Sequence, residues 1–177
     1  MTPDFNQNHF ALFGLKSGFA MDTETLERNY REIQSAVHPD RFAHLSDQER
    51  RLSMQWATRV NEAYRTLRAP LLRAAYWLQL NGIDAGMENN TAMPAEFLME
   101  QMEWREAVEE ARASRDMDEL DGLHRRLRQS LNAIHAELAE CIDVQQDGEA
   151  AAGVLRRALF LDKLRQEIDD ALIELES

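Results

Sequence analysis

The chain has 177 residues, 44% of them apolar, which suits one medium or two small globular domains with a buried core. Only 7 Gly and 4 Pro argue against an all-β chain rich in turns, and long stretches of Ala, Leu, Glu, Arg and Gln favour helix. The net charge of −12 disfavours nucleic acid or an anionic membrane as the main partner, because both require a cationic face.

The charge is distributed unevenly along the chain. Residues 1–80 carry a net charge of +1, whereas residues 81–177 carry −13. Such a split suggests two modules with different partners. The solubility of an exposed helical bundle explains the same split equally well.

The cysteine content and the apolar runs limit the site chemistry and the compartment. A single cysteine, Cys141, excludes an internal disulfide framework and any cysteine-based metal site within one chain; we interpret it as a packing residue. Residues 1–10 show no signal-peptide pattern, and no apolar stretch approaches the roughly 18 residues that span a bilayer. We therefore expect a soluble, cytoplasmic protein with no metal and no cofactor. The histidines predicted to be solvent-exposed are His9, His44, His124 and His135.

Apolar spacing in the first half predicts two long helices that form a hairpin. After a short apolar segment at residues 9–15, Asp22 is a candidate cap for the first helix, which Pro39 ends because the residue before a proline avoids the helical region. The segment from Ser46 to Glu49 is a capping box that starts the second helix. The expected apolar stripes are Leu26, Tyr30, Ile33 and Val37 on the first helix, and Leu52, Trp56, Val60, Ala63, Tyr64 and Leu67 on the second.

The second half predicts three further long helices. The hairpin is followed by an apolar helical piece at residues 71–80 and by a stretch with Gly, Asn and no helical stripe at residues 81–93, which we interpret as a linker. Pro94 suits the first turn of the next helix, Asp116 starts another, and residues 145–148 form the turn before the last. The expected stripe of the last helix is Val154, Leu161, Leu164, Ile168, Leu172 and Leu175.

The predicted fold class is therefore all-α. It comprises an N-terminal domain with a helical hairpin (residues 1–80), a linker (81–93) and an acidic C-terminal three-helix bundle (94–177).

The hairpin loop contains the tripeptide His38-Pro39-Asp40. Proline fixes one dihedral angle, so the two polar side chains beside it have set directions before any partner binds. Asp40 can accept charge-assisted hydrogen bonds from a partner arginine, and His38 can donate or accept. By itself the tripeptide is more typical of an ordinary turn than of a binding loop. A catalytic His/Asp pair is a further alternative, but no nucleophile or metal cluster has a fixed place near it.

The tripeptide, its flanking helices and the segment Asn61-Glu62-Ala63-Tyr64 together resemble the J domain of the DnaJ family, over about residues 8–76. J domains stimulate ATP hydrolysis by Hsp70 chaperones. The resemblance implies that His38, Pro39 and Asp40 are the functional core. It also implies a basic Hsp70-binding face, here Arg28, Arg31 and Arg41. Glu27 and Glu32 dilute this face, and a solvated helix surface explains Arg28 equally well.

The whole chain is similar to the HscB family, J-type co-chaperones of iron–sulfur cluster assembly. The matching segments include Phe10-Ala11-Leu12-Phe13-Gly14-Leu15, Arg68-Ala69-Pro70-Leu71-Leu72-Arg73-Ala74, Phe97-Leu98-Met99-Glu100-Gln101 and Phe160-Leu161-Asp162-Lys163-Leu164. The resemblance implies a co-chaperone without catalytic residues of its own, which delivers the scaffold protein IscU to the specialised Hsp70 HscA. We expect the bacterial type of the family, which lacks an amino-terminal cysteine-rich extension.

The helix that follows Pro94 has more apolar surface than one core face needs. On a helical wheel, Phe97, Trp104, Val108 and Ala111 form a narrow arc that suffices for a core stripe. Leu98, Met99 and Met102 form a second arc, which predicts a binding surface, or else a face that packs on the J domain or its linker. The family resemblance assigns scaffold binding to Leu98, Met99, Met102, Glu103, Glu106 and Phe160. Leu159 stays unassigned.

Two rival hypotheses remain open. One is a J-domain co-chaperone that serves a different client protein. The other is a helical hydrolase that uses His38 and Asp40, which requires turnover by the purified chain alone.

Overall fold

The computed structural model describes residues 4–85 and 94–177, and within these ranges all regular secondary structure is helical. The predicted all-α class is therefore confirmed. The α-helices of these ranges are α1 (His9–Leu12), α2 (Thr23–Ala36), α3 (Asp47–Arg68), α4 (Pro70–Leu80), α5 (Ala95–Ser114), α6 (Met117–Ala139) and α7 (Gly148–Glu176). A 3-10 turn at Pro39–Phe42 lies between α2 and α3, and a π-helical turn at Glu140–Val144 follows α6.

The chain divides into two compact units, residues 1–77 and 78–177. The division falls inside α4, three residues before the end of the predicted J domain. Of the predicted linker, residues 86–93 lie outside the described ranges, so the linker stays a prediction. Its first residues belong to the second unit, where Ala85 is buried and a Cβ at Gly148 would collide with the side chain of Ile83.

The helix ends of the first unit are fixed by local hydrogen bonds, as the sequence predicts. The carboxylate of Asp22 accepts from the backbone N–H of Thr25 at 3.1 Å. Ser46 and Glu49 form a reciprocal capping box, in which the Ser46 N–H donates to the Glu49 carboxylate at 3.0 Å and the Ser46 hydroxyl accepts from the Glu49 N–H. These caps satisfy the first donors of α2 and α3 and hold the connecting loop between two defined ends.

The core of the first unit lies between α1, α2 and α3. Tyr30 of α2 stacks on Tyr64 of α3 with ring centroids 3.9 Å apart, so the hairpin is closed by an aromatic pair as well as by aliphatic packing. The predicted place of Leu52 in this core is wrong, because its side chain is 45% exposed. Leu52 lines an open pocket together with Ile33 of α2 and Phe42 of the loop, and this pocket leaves its side chain accessible to solvent. The buried members of the core are Phe10, Leu12, Phe13, Leu26, Ile33, Trp56, Val60, Ala63 and Leu67.

Among the described residues of the first unit, Arg73 is a buried charged side chain. Arg73 of α4 is 6% exposed, and its guanidinium donates to the carbonyl of Phe19 at 2.7 Å and to that of Leu67 at 2.6 Å. The same guanidinium lies 5.1 Å from the centre of the Phe19 ring. A buried charge is tolerated only when its donors are satisfied. The donors of Arg73 bond to these two carbonyls, and the bonds hold α4 against the end of α3 and the segment before α2.

The predicted exposure of His9 is wrong. Its ring stacks on Tyr76 with centroids 4.1 Å apart, and its backbone N–H donates to the Tyr76 hydroxyl at 3.0 Å. Nδ1 is buried and has no hydrogen-bond partner in the described part of the chain. Burial first, and then the nearby charge of Arg59, lower the pKa of His9 below its ordinary value of 6.5.

This environment gives the first unit a pH-dependent stability. His9 is harder to protonate in the folded state than in the unfolded chain. Its contribution to the free energy of unfolding is therefore full above the ordinary pKa of 6.5, and it is lost as the pH falls toward the pKa of the folded state. Replacing His9 with Phe keeps the stacking and removes the titration. We expect this variant to lose less thermal stability than wild type between about pH 7.5 and about pH 5.5. His44→Gln, on an exposed histidine, is the control; a His9→Phe chain with the wild-type pH slope would contradict the assignment.

The second unit contains the predicted three-helix bundle of α5, α6 and α7. Three ion pairs join α5 to α7: Glu100 with Arg157, Arg105 with Glu167, and Arg112 with Glu174. Because the residue numbers increase together along both helices, α5 and α7 run in the same direction. The turn between α5 and α6 is made by Arg115 in the left-handed region (φ 55°), followed by the cap that Asp116 provides to the N–H of Glu119, as predicted.

The predicted stripe of α7 is partly wrong. Leu161, Leu164 and Ile168 are buried, but Val154, Leu172 and Leu175 are only half-buried. The buried face also includes Ala151, Ala152, Leu155, Ala158 and Ala171. The predicted stripe left out the alanines of this face, because it was defined by large apolar side chains. Alanines are buried where neighbouring helices approach closely, and their small side chains do not mark the face in the sequence.

Candidate interaction sites

The hairpin loop presents His38 and Asp40 to solvent. His38 is the N-terminal cap of the 3-10 turn, and its Nδ1 accepts from the backbone N–H of Asp40 at 3.4 Å. The same nitrogen lies 3.4 Å from the Asp40 carboxylate, and the two side chains are 58% and 90% exposed. The loop therefore holds an imidazole and a carboxylate side by side at the surface.

The two contacts of Nδ1 define what this pair can do chemically. While Nδ1 accepts from a backbone N–H, the neutral imidazole carries its proton on Nε2, which is then free to act as an outward donor. The loop thus offers a partner a donor and a carboxylate whose positions are restrained by the turn.

The three arginines predicted for the basic face have different surroundings. Arg41 follows Asp40 within the 3-10 turn and is exposed. Arg31 forms an ion pair of 3.7 Å with Glu27, one turn earlier on α2, and Arg28 donates to the hydroxyl of Thr25 at 3.2 Å. All three guanidinium groups are thus at the surface, and the carboxylate of Glu27 offsets part of the positive charge that Arg31 gives to α2.

The predicted division of α5 into two apolar faces is confirmed. Phe97, Trp104, Val108 and Ala111 are buried. Leu98, Met99 and Met102 are 45%, 61% and 72% exposed. These three exposed side chains, which we call the apolar patch, do not contribute to the bundle core. Glu103 and Glu106, the acidic neighbours singled out with them, are exposed on the same helix.

Phe160 of α7 contacts α5 at Phe97, the residue before the apolar patch in the sequence. Its half-buried ring meets Phe97 in an edge-to-face arrangement, with centroids 6.0 Å apart and an interplanar angle of 89°. The residue after Phe97 is Leu98, the first member of the patch. The predicted site thus combines one aromatic ring from α7 with three aliphatic or thioether side chains from α5. Leu159 is half-buried and its role stays open.

The sequence reasoning missed two arginines, Arg105 beside the ring of Phe160 and Arg157 three residues before Phe160 on α7. The guanidinium of Arg105 lies 5.4 Å from the centre of the Phe160 ring. Arg157 lies between two carboxylates, 3.5 Å from Glu100 and 3.6 Å from Glu137. The available signal was the spacing of Arg105 seven residues after Leu98, which places both on one face of α5.

The remaining candidates in the sequence were a metal site, the thiol of Cys141 and the histidines predicted to be exposed. Among the described residues, no group of histidine, cysteine and carboxylate side chains could hold a metal ion. Burial first, and then nearby carboxylates, raise the pKa of the half-buried Cys141 thiol, which fits a packing residue. The predicted exposure of His124 is wrong: it is half-buried, with Nε2 3.0 Å from the Asp169 carboxylate. His135 is also half-buried.

None of the described helices combines enough length with enough apolar character to cross a bilayer.

Sequence comparisons match both halves of the chain to one group of proteins. Residues 93–169 match the family described as the HSCB C-terminal oligomerisation domain. The chain is 56% identical to the co-chaperone protein HscB homolog of Azoarcus sp. strain BH72 and 57% identical to that of Aromatoleum aromaticum. In both comparisons the alignment covers 100% of each chain.

Solved structures give the same result. The chaperone HscB from Vibrio cholerae superposes with a TM-score of 0.84 and 35% identity, covering 96% of this chain and 99% of that chain. The human co-chaperone HscB superposes with a TM-score of 0.88 and 29% identity, covering 94% and 83%. With full-length identity above one half to curated relatives and agreement of fold, the chain belongs to the HscB family of J-domain co-chaperones of iron–sulfur cluster assembly.

Proposed function

We propose that this chain stimulates the ATPase of the specialised Hsp70 HscA and delivers the scaffold protein IscU to it, in the cytoplasm. The observation that carries the proposal is the pairing of two exposed surfaces in separate compact units. One is the polar loop of His38 and Asp40, and the other is the apolar patch of Leu98, Met99 and Met102. Membership of the HscB family supports the identity of both partners.

The loop acts on HscA through preset polar groups. The Asp40 carboxylate accepts from an arginine of the ATP-bound Hsp70, and Nε2 of His38 supplies a second hydrogen bond. Pro39 restrains the backbone between them, which reduces the entropy lost on docking. Because the loop binds the hydrolysis-competent state of HscA more tightly than the other states, it raises the population of that state. Arg41, with Arg28 and Arg31 on α2, adds a weaker electrostatic contribution along the same unit.

The apolar patch holds the scaffold protein. Two methionines in the patch can adapt their shape to an apolar partner surface, and the ring of Phe160 adds a rigid aromatic contact. Glu103 and Glu106 flank the patch with negative charge, so they favour a partner whose apolar surface is bordered by basic residues. This arrangement of an apolar centre and a charged rim is typical of specific protein interfaces.

Joining the two surfaces in one chain makes it an adaptor. Once IscU is bound, its effective concentration at HscA is set by the geometry of the chain rather than by the bulk concentration. The ATPase residues belong to HscA. The chain itself is proposed to contribute no catalytic chemistry, and its relatives are named as co-chaperones.

The proposal is tested by titrating purified IscU, free of cluster, into the chain in a calorimeter. We expect saturable one-to-one binding, and retention of HscA on a column that carries the chain in the presence of ATP. If the chain stimulates HscA but does not bind IscU, it is a J-domain co-chaperone for a different client. Turnover of a hydrolysable substrate by the purified chain alone would favour a hydrolase instead.

A further inference from the structure

We propose that Arg105 is a positioning residue that holds the Phe160 ring in the scaffold-binding surface. Arg105 lies on α5, seven residues after Leu98, and its guanidinium lies 5.4 Å from the centre of the Phe160 ring on α7. This distance is within the range at which a cation is attracted to the face of an aromatic ring. The inference rests on the proposed function, because it assigns Phe160 to the surface that binds IscU.

The ring of Phe160 has a defined partner on two sides. Phe97 meets it edge to face at 6.0 Å, and Arg105 covers it at 5.4 Å. A half-buried ring with only the first of these contacts is free to turn about its side-chain torsions. With the guanidinium in place, the ring is restrained before IscU arrives, and less conformational entropy is lost on binding.

Arg105 is itself restrained by α7. One of its terminal nitrogens lies 3.3 Å from the carboxylate of Glu167, seven residues after Phe160 on the same face of that helix. The guanidinium is therefore held at two points, by a carboxylate and by a ring. At 45% exposure it is half in solvent, so the ion pair alone adds little to the free energy of folding.

The bundle supplies a matched control for this arrangement. Seven residues further along α5, Arg112 forms an ion pair with Glu174 at the same distance of 3.3 Å and with a similar exposure of 49%. The residue seven positions before Glu174 is Glu167 rather than an aromatic side chain. The Arg112–Glu174 pair thus repeats the ion pair between α5 and α7, but no aromatic side chain lies seven residues before its carboxylate.

The test uses the full-length chain with a fluorine-labelled phenylalanine at the position of Phe160. We expect Arg105→Met to shift the fluorine resonance of the free chain and to weaken binding of cluster-free IscU by about two- to fivefold, the size of a partly exposed cation–ring contact. Arg105→Lys, which retains a cation, should recover part of the affinity. Arg112→Met should leave both the resonance and the affinity at their wild-type values.

A double-mutant cycle separates positioning from direct contact. If Arg105 acts through the ring, Arg105→Met should have no further effect on IscU binding in a Phe160→Leu chain. An equal loss in that background would show that Arg105 touches IscU itself and would overturn the inference, as would an unshifted resonance. A wild-type chain that does not bind IscU would overturn the proposed function, and this outcome is distinct because the fluorine measurement is made without IscU.

Discussion

Replacing His38 with Gln is expected to abolish stimulation of the HscA ATPase while IscU binding persists. Glutamine keeps polarity at this position but lacks the imidazole ring, whose Nδ1 lies 3.4 Å from the Asp40 carboxylate and whose Nε2 is the proposed donor to HscA. Loss of the hydrogen bond from Nε2 reduces the affinity of docking by at least about tenfold. The measurement is the steady-state rate of ATP hydrolysis by HscA at increasing concentrations of the variant.

The matched control for this change is His44→Gln. His44 is exposed and lies only a few residues beyond the tripeptide, outside the 3-10 turn, so it tests whether any histidine near the loop has the same effect. Both variants should keep wild-type helix content, because neither side chain is buried. Full stimulation by His38→Gln would refute the assignment of the loop.

Changing Leu98, Met99 and Met102 together to Ala is expected to weaken IscU binding on the order of a hundredfold, since a few apolar side chains at the centre of an interface carry most of its binding energy. Stimulation of HscA in the absence of IscU should be unchanged. Because the three side chains are 45%, 61% and 72% exposed, their truncation should alter the free energy of unfolding by less than about 0.5 kcal/mol for each residue.

A control with the same exposure is available in the second unit. Ile173 is 63% exposed and lies next to Glu174, which pairs with Arg112 ten residues after Met102 on α5, so an Ile173→Ala chain loses apolar surface away from the patch. It should bind IscU as wild type does. A triple variant that unfolds, seen as lost helical circular dichroism, would mean that the patch supports the bundle; a triple variant with undiminished affinity would place the scaffold elsewhere.

Much of the fold could be predicted because it depends on local signals. The caps at Asp22, Ser46 and Asp116 each need only a side chain and a backbone N–H three residues away, so the sequence contains the whole interaction. The two faces of α5 were also predictable, since large apolar side chains at helical spacing mark the buried one. The second apolar face of α5 was not needed for the core, and it was therefore predicted to be a binding surface.

The errors lie where contacts join distant parts of the sequence. The stacking of His9 on Tyr76 and the two carbonyl bonds of Arg73 depend on how α4 packs in the first unit, which no periodicity reports. Alanines on the buried face of α7 gave no signal because a small side chain is equally common on either face. The pairing of Arg105 with Phe160 likewise joins two helices separated by the whole of α6.

The most direct test of the adaptor is to mix the two variants that each lack one surface. His38→Gln retains the patch and the triple alanine chain retains the loop, so an equimolar mixture contains both functions on separate molecules. The measurement is the IscU concentration that half-maximally stimulates HscA, at chain concentrations where light scattering shows monomers. The wild-type chain is expected to lower this concentration by on the order of tenfold or more relative to the mixture, because only a covalent link raises the effective concentration of IscU. A mixture that performs as well as the wild-type chain would contradict the adaptor mechanism.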